Sequence, residues 1–551
     1  MASFRSTRLI PASLLLVIAA GGAGFVSGAD PNAVTGRSSE AARTTASGDV
    51  RLASAALAER IDAALERTWT AEKVVGTSPA DDAEFVRRVY LDLLGRIPRV
   101  AEARRFLDDA DPDKRTKLID DLLGRPAMTA HLAENLRAAL MPQTRVNPSL
   151  YHLGTSFEDW LRPRLTRGDG YDRIVRSLLT VPLGERTEQG GLAAGAADRF
   201  GAIAWYQIHD LKPENLVAAS TRLMLGVRME CAQCHNHPFD RWTKDEFWQT
   251  AAFFSRINLR ESATFDGTQP VSIRVPQEDR RIEARLLGSA EPTAIEGDPR
   301  ARYAAWLAAD ENPFFARATV NRLWGLLFGR GIIHPVDDFR NDNPPSHPEL
   351  LDELAKSFVA SRYDLQFVLR SMLLTRAYQR SSALTDSSQQ DPTRFARMVE
   401  RPLTAEQLWD SLTTATGGSD PVPLAHRGLV GLPARSPRTE FLTAFLGESR
   451  ADSPQISILH SLKLLHGEYV DRMTSPRTSP ILTALADAPF FSRDEKVETL
   501  YLAVLSRRPT AEEFSQIAAF LDAPERRDDP PRGLGDVLWT LLNSPEFLLN
   551  H

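Results

Sequence analysis

Residues 84–102 read EFVRRVYLDLLGRIPRVAE, and at one constant offset residues 495–513 read EKVETLYLAVLSRRPTAEE. The register pairs Val86 with Val497, Tyr90 with Tyr501, Leu91 with Leu502, Leu94 with Leu505, Arg96 with Arg507, Pro98 with Pro509 and Glu102 with Glu513. In each copy apolar residues recur at helical spacing and put Tyr and Leu on one buried face. The Arg-x-Pro that follows forces a turn, because proline cannot continue the helical ladder, and a second helix packs back. Residues 84–107 and 495–521 are therefore expected to form related helical hairpins near opposite ends of the chain. A looser echo follows each: LIDDLLGRP from Leu118 and VLWTLLNSP from Val537, both helices that close in Leu-Leu with a proline shortly after.

Outward from these hairpins the pattern stays helical. Ile61, Leu65 and Trp69, like Phe85, Val89 and Leu93, are spaced four apart and lay an apolar stripe along each helix. Thr243–Glu246, Ser346–Glu349, Thr404–Gln407 and Thr510–Glu513 each set a hydroxyl three residues before Glu or Gln, the pattern of a capping box. Strand signals gather only in residues 261–299, where PVSIRVP and RIEARLL sit among Gly, Pro and acidic residues. The expected fold is mainly α: a helical domain at 51–260 and a second at 300–551, joined by a short β-containing insertion at 261–299.

The N-terminus has its own composition. Arg5 and Arg8 precede an apolar run from Leu14 to Ala20 that ends in Ser27, Gly28 and Ala29, the order of a secretory signal peptide over residues 1–29. Residues 30–50 are small and polar and read as a flexible linker, with order beginning near Arg51. No other segment is apolar enough to cross a membrane, so no integral membrane segment is expected in the mature chain. The formal net charge is −6, more negative still without Arg5 and Arg8, which argues against nucleic acid as a generic partner.

Both cysteines of the 551-residue chain lie in one stretch, MECAQCHNHPFDRWTKDEFW at 229–248. Three chemistries fit Cys231, Cys234 and His235. In c-type haem attachment two thiols add to the vinyl groups and the adjoining histidine supplies an axial nitrogen to iron. Zinc is the second, with Cys231, Cys234, His235 and His237 as four donors of suitable type, although seven residues would have to wrap one tetrahedral centre. A redox or structural disulfide is the third, in keeping with export to an oxidising compartment. NLVAASTRLMLGVRM upstream reads as a helix that delivers the motif. Downstream Phe239, Trp242, Phe247, Trp248, Phe253 and Phe254 read either as the wall of a macrocycle site or as ordinary core. His237 is disfavoured as a second ligand to the same iron, which leaves Met224, Met229, His209 or an open position opposite His235.

RLMLGVRMECAQCHNHPFDRWTKDEFWQTAAFF, from Arg222, resembles the signature of a large family of exported planctomycete proteins of unknown function that are named for this cytochrome-type motif. NPFFARATVNRLWGLLFGRGIIHPVDDFRNDNPPSHPELLDELA, with RSMLLTRAYQRSS and RPLTAEQLWDSL, similarly resembles the domain of unknown function that commonly follows it. The resemblance spans roughly residues 55–548. It implies haem attachment at Cys231, Cys234 and His235 and a redox partner or protein complex, and it supplies no reaction. The family pattern commonly has Asp where this chain has Asn236, and the separate cytochrome c domain of many relatives has no cysteines here to form it. The competing reading is a non-redox scaffold or binding protein with a structural disulfide or metal at the cysteine pair.

The stretch HPVDDFRNDNPPSHPE packs His334, Asp337, Asp338, Arg340, Asp342, His347 and Glu349 into one loop. Capping by Ser346, the Pro344–Pro345 turn and an Asp338–Arg340 anchor account for much of it structurally. Asn321 and Arg322, on a helix with Trp324, are placed to brace that loop; a catalytic pocket, if the chain has one, is expected where these residues meet.

Overall fold

A computed structural model of the chain describes residues 32–183, 196–257, 270–289, 291–418, 437–446, 465 and 467–551. The proposed signal peptide at 1–29 lies outside them. Helices dominate, and the only strands among the described residues form two small antiparallel pairs, Ser272–Arg274 with Arg281–Glu283 and Arg401–Pro402 with Leu549–Asn550. The first pair lies where PVSIRVP and RIEARLL place strands.

Both hairpins form. Asp82–Leu94 and Val100–Asp108 make the first, Arg493–Leu505 and Ala511–Asp522 the second. Asp81 caps the first helix by accepting from Glu84 N, and Ser492 shares a capping box with Glu495 in the second. Each first helix ends on a left-handed residue, Gly95 at φ 69° and Ser506 at φ 63°. Across each Arg-x-Pro turn the arginine grips the glutamate of the next helix: Arg96 Nη1 donates to Glu102 at 2.9 Å, and Arg507 Nη1 to Glu513 at 2.7 Å. The hairpins also touch, through Arg508 to Asp108 at 2.6 Å.

Two expectations are corrected. The first helix runs Asn32–Glu72, so helix begins at Asn32 and not near Arg51. No proline follows Pro31 in that segment and alanine is frequent, so its small polar composition does not oppose helix. Ser346 does not cap the following helix, which starts at Pro348; its hydroxyl donates to Ile332 O at 3.1 Å, and Glu349 points to solvent. Proline at the first helical position moves the helix start past the serine.

Residues Ala53–His551 form one compact unit. One apolar cluster runs from Leu57 to Met398 and takes in Val271, Val275 and Ile282 of the β segment. A second joins Leu91 and Ile97 of the first hairpin to residues between Leu403 and Phe547. Two buried arginines tie the first hairpin to the C-terminus. Arg87 donates to the carbonyls of Val504, Glu546, Phe547 and Leu549, and Arg88 to those of Tyr378, Arg380 and His551. They satisfy carbonyls that helix ends leave without partners.

Candidate functional site

The Cys-x-x-Cys-His turn is set by what precedes it. Helix Pro213–Leu225 ends at Gly226 with φ 72°, where a Cβ would lie 2.4 Å from the Phe339 ring, so glycine is required by both conformation and space. The chain then buries Val227 and Met229 and makes a short 3-10 turn, Glu230–Gln233, with Ala232 turned inward. Cys231 and Cys234 are left exposed as free thiols, and His235 is exposed beside them.

Backbone contacts fix the turn from below. Trp248 Nε1 donates to Gln233 O at 3.0 Å, and His237 N to Trp242 O at 2.8 Å. Asn236 accepts from Lys244 N at 3.0 Å and so helps cap helix Lys244–Ala251 with Thr243. The two imidazoles are held differently. His235 Nδ1 lies 2.7 Å from Asn236 O; a carbonyl only accepts, so Nδ1 carries the proton and Nε2 keeps the free lone pair. His237 Nδ1 instead accepts from Phe239 N at 3.3 Å, which leaves its proton on Nε2.

Several residues weighed at sequence level lie elsewhere. Trp242, Phe247, Trp248, Phe253 and Phe254 are core, and only Phe239 stands out, 73% exposed. The three side chains considered opposite His235 are buried. Met224 and Met229 belong to the apolar cluster. His209 stacks edge-on against Trp205, and burial, with the charge of Arg222, lowers its pKa to about 4. Apolar residues at helical spacing bury by default, and a soft sulfur in a core is packing material. No three His, Cys, Asp or Glu side chains gather as a metal site among the described residues.

The polar loop at 334–349 splits in two. Its first part meets the approach to the cysteine turn: Asp337 takes Arg228 Nη2 at 2.6 Å and lies 3.7 Å from Arg222, while Phe339 N donates to Gly226 O. Asp338 anchors Arg340 at 2.9 Å. Asn321 braces this part, its amide bonding both the N–H and the carbonyl of Ile333 at 2.9 Å, and half-buried Arg322 donates to Leu223 O. The second part turns away. His347 is buried against Phe395 beside a cavity of about 370 Å³ also lined by Arg67, Glu72 and Glu349; burial, with Arg394 nearby, lowers its pKa to about 4. The contact between Arg228 and Asp337 carries no signal in the sequence, since 109 residues separate the pair.

Two family models match the chain. Residues 60–259 match PSCyt2, a protein of unknown function (DUF1549), and residues 299–521 match PSD1, a protein of unknown function (DUF1553). The chain thus carries two domains of unknown function in that order, and the matches stop and resume on either side of the β segment. No curated protein and no solved structure matches it. Among the described residues no helix is long and apolar enough to cross a membrane.

Proposed function

We propose that the protein is an exported c-type haem protein of an electron-transfer or oxidative system, with Cys231 and Cys234 as the covalent attachment points and His235 as the iron ligand. The observation that carries this reading is that both thiols are free and exposed on one anchored turn, next to an imidazole whose Nε2 has its lone pair available. Such a group, when bound, supplies one-electron redox chemistry. The chain's part is positional. The Asn236 carbonyl fixes the His235 tautomer, as outer-shell acceptors do for metal-bound histidines, and the buried Ala232 and Met229 hold the thiols outward. Met224, Met229 and His209 are packed inside, so His235 is the one residue that would hold the iron in this reading. Export rests on the charged, apolar and small-residue order of residues 1–29, with a periplasmic or cell-surface location.

Expression with cytochrome c maturation machinery tests both parts. Expected are an added haem mass that survives denaturation, a Soret band that shifts on reduction, and a mature N-terminus near Asp30. Replacing both cysteines by Ala should abolish covalent retention, and His235→Ala should change the spectrum more than His237→Ala. Wild-type protein without added mass or Soret band would overturn the haem reading and put a bound zinc ion or a Cys231–Cys234 disulfide in its place.

A further inference from the structure

Away from the cysteine turn, a cavity of about 800 Å³ opens beside the turn of the first hairpin. Its walls come from both family-matched segments: Leu94, Arg99 and Val100 of the first hairpin and Glu134 and Glu158 behind them face Asp410, Thr413 and Ile481 of the second half. Its size suits a small organic ligand. Nothing in the cysteine-site chemistry uses it.

The charges around it are graded from floor to rim. Glu134 accepts from Arg438 at 3.1 Å and lies 3.8 Å from His131 Nδ1, and Glu158 accepts from Arg137. Burial works to raise the Glu134 carboxyl, but nearby His131 and the charges of Arg438 and Arg137 outweigh it and hold it below the ordinary range. Burial dominates at Glu158 and raises it, with the negative charge of Glu134 adding to the effect against Arg137 and Arg162. The two carboxyls are thus pushed in opposite directions, Glu134 down and Glu158 up. At the rim Arg99 is exposed, and Arg162 pairs with Asp159. The apolar wall, Leu94, Val100 and Ile481, is aliphatic and offers no aromatic plate for a nucleobase.

We infer that this cavity binds a small polyhydroxylated organic anion of the sugar-acid class. The carboxyls of Glu134, Glu158 and Asp410 take the ligand's hydroxyl groups, Arg99 takes its carboxylate, and the aliphatic wall takes its C–H face. A site shared between the two halves also gives them a reason to occur together.

Calorimetric titration of the full chain with D-glucuronate, and with D-glucose as the uncharged control, tests the inference. Expected is saturable binding of glucuronate, with glucose weaker by about ten-fold or more. Arg99→Glu, an exposed change, should weaken glucuronate by a similar factor, and Ala484→Trp, which fills the cavity from an exposed wall position, should abolish it. Glu134→Gln should weaken both sugars; its melting temperature is measured alongside because Arg438 loses an ionised partner. No heat at about 10 mM glucuronate, well above the range of specific ligand sites, overturns the inference. So does equal affinity for the two sugars, or undiminished binding by Ala484→Trp. The cysteine turn takes no part, so replacing Cys231 and Cys234 by Ala should leave glucuronate binding unchanged.

Discussion

The two related hairpins share a turn and differ in what surrounds it. Both place the turn arginine over the tyrosine ring of the preceding helix, Arg96 at 5.6 Å from Tyr90 and Arg507 at 5.5 Å from Tyr501, and both clamp a glutamate six residues on. The third partner is inverted. In the first hairpin one glutamate serves two arginines, since Arg125 also donates to Glu102 at 2.6 Å; in the second one arginine serves two glutamates, since Arg507 also donates to Glu546. The sign of the outer charge is free so long as the Arg-x-Pro turn stays closed. Position in the molecule is not free. The first hairpin is wedged between the two apolar clusters, whereas much of the face of helix Ala511–Asp522 is exposed.

The sharpest contrast is at the matched positions Arg87 and Glu498. Arg87→Met should cost about 3–5 kcal/mol, because four backbone carbonyls lose a buried donor. Glu498→Met, at a side chain 31% exposed with only surface ion pairs, should cost below about 1 kcal/mol. Urea midpoints of the two variants measure the difference; equal losses would break the comparison.

A smaller effect separates the left-handed residues that end the two first helices. Gly95→Ala should destabilise by about 2 kcal/mol, since φ is 69° and the new Cβ would lie 2.4 Å from His131 Nδ1. Ser506→Gly should stabilise by about 0.5–1 kcal/mol, because it relieves a side chain at φ 63° and removes a buried hydroxyl without a partner. Thermal melts of the pair should therefore move in opposite directions.

The smallest separation is between the clamped glutamates, and pH reads it. Burial works against Glu102, but Arg96 and the Arg99 amide lower it to about 2; at Glu513 the hydrogen bond from Arg507 leads, also to about 2. Both folded values lie below the unfolded 4.5, so each contribution is complete above that pH and is lost as pH falls toward 2. Glu102 is the less exposed side chain, so Glu102→Gln should cost about 1–2 kcal/mol at pH 7. Glu513→Gln, discounted for solvent screening, should cost a few tenths of a kcal/mol, about 0.3. Urea midpoints at pH 7 and pH 3 should show each variant losing less than wild type on acidification, Glu102→Gln by the larger margin.

The sequence by itself determined the local structure. The two hairpins, the capping boxes at Thr243, Thr404 and Thr510, the paired strands and the helix leading into the cysteine turn all rest on residues within a few positions of one another. Helical periodicity, capping and proline breaks act over that range, so they can be read without knowing the fold. The cysteine pair was legible for the same reason, as a motif compressed into five residues. Only the tertiary structure decided what depends on distant partners. It buried Arg87 and Arg88 under C-terminal carbonyls, packed Met224, Met229 and His209 away from His235, and ran one core through the segment that composition marks as a linker. It also brought Glu134 and Glu158 to one cavity with Asp410. A charge looks solvated in a sequence until the whole chain shows what covers it, because the desolvation and the partners that compensate it are set by the packing of elements hundreds of residues apart.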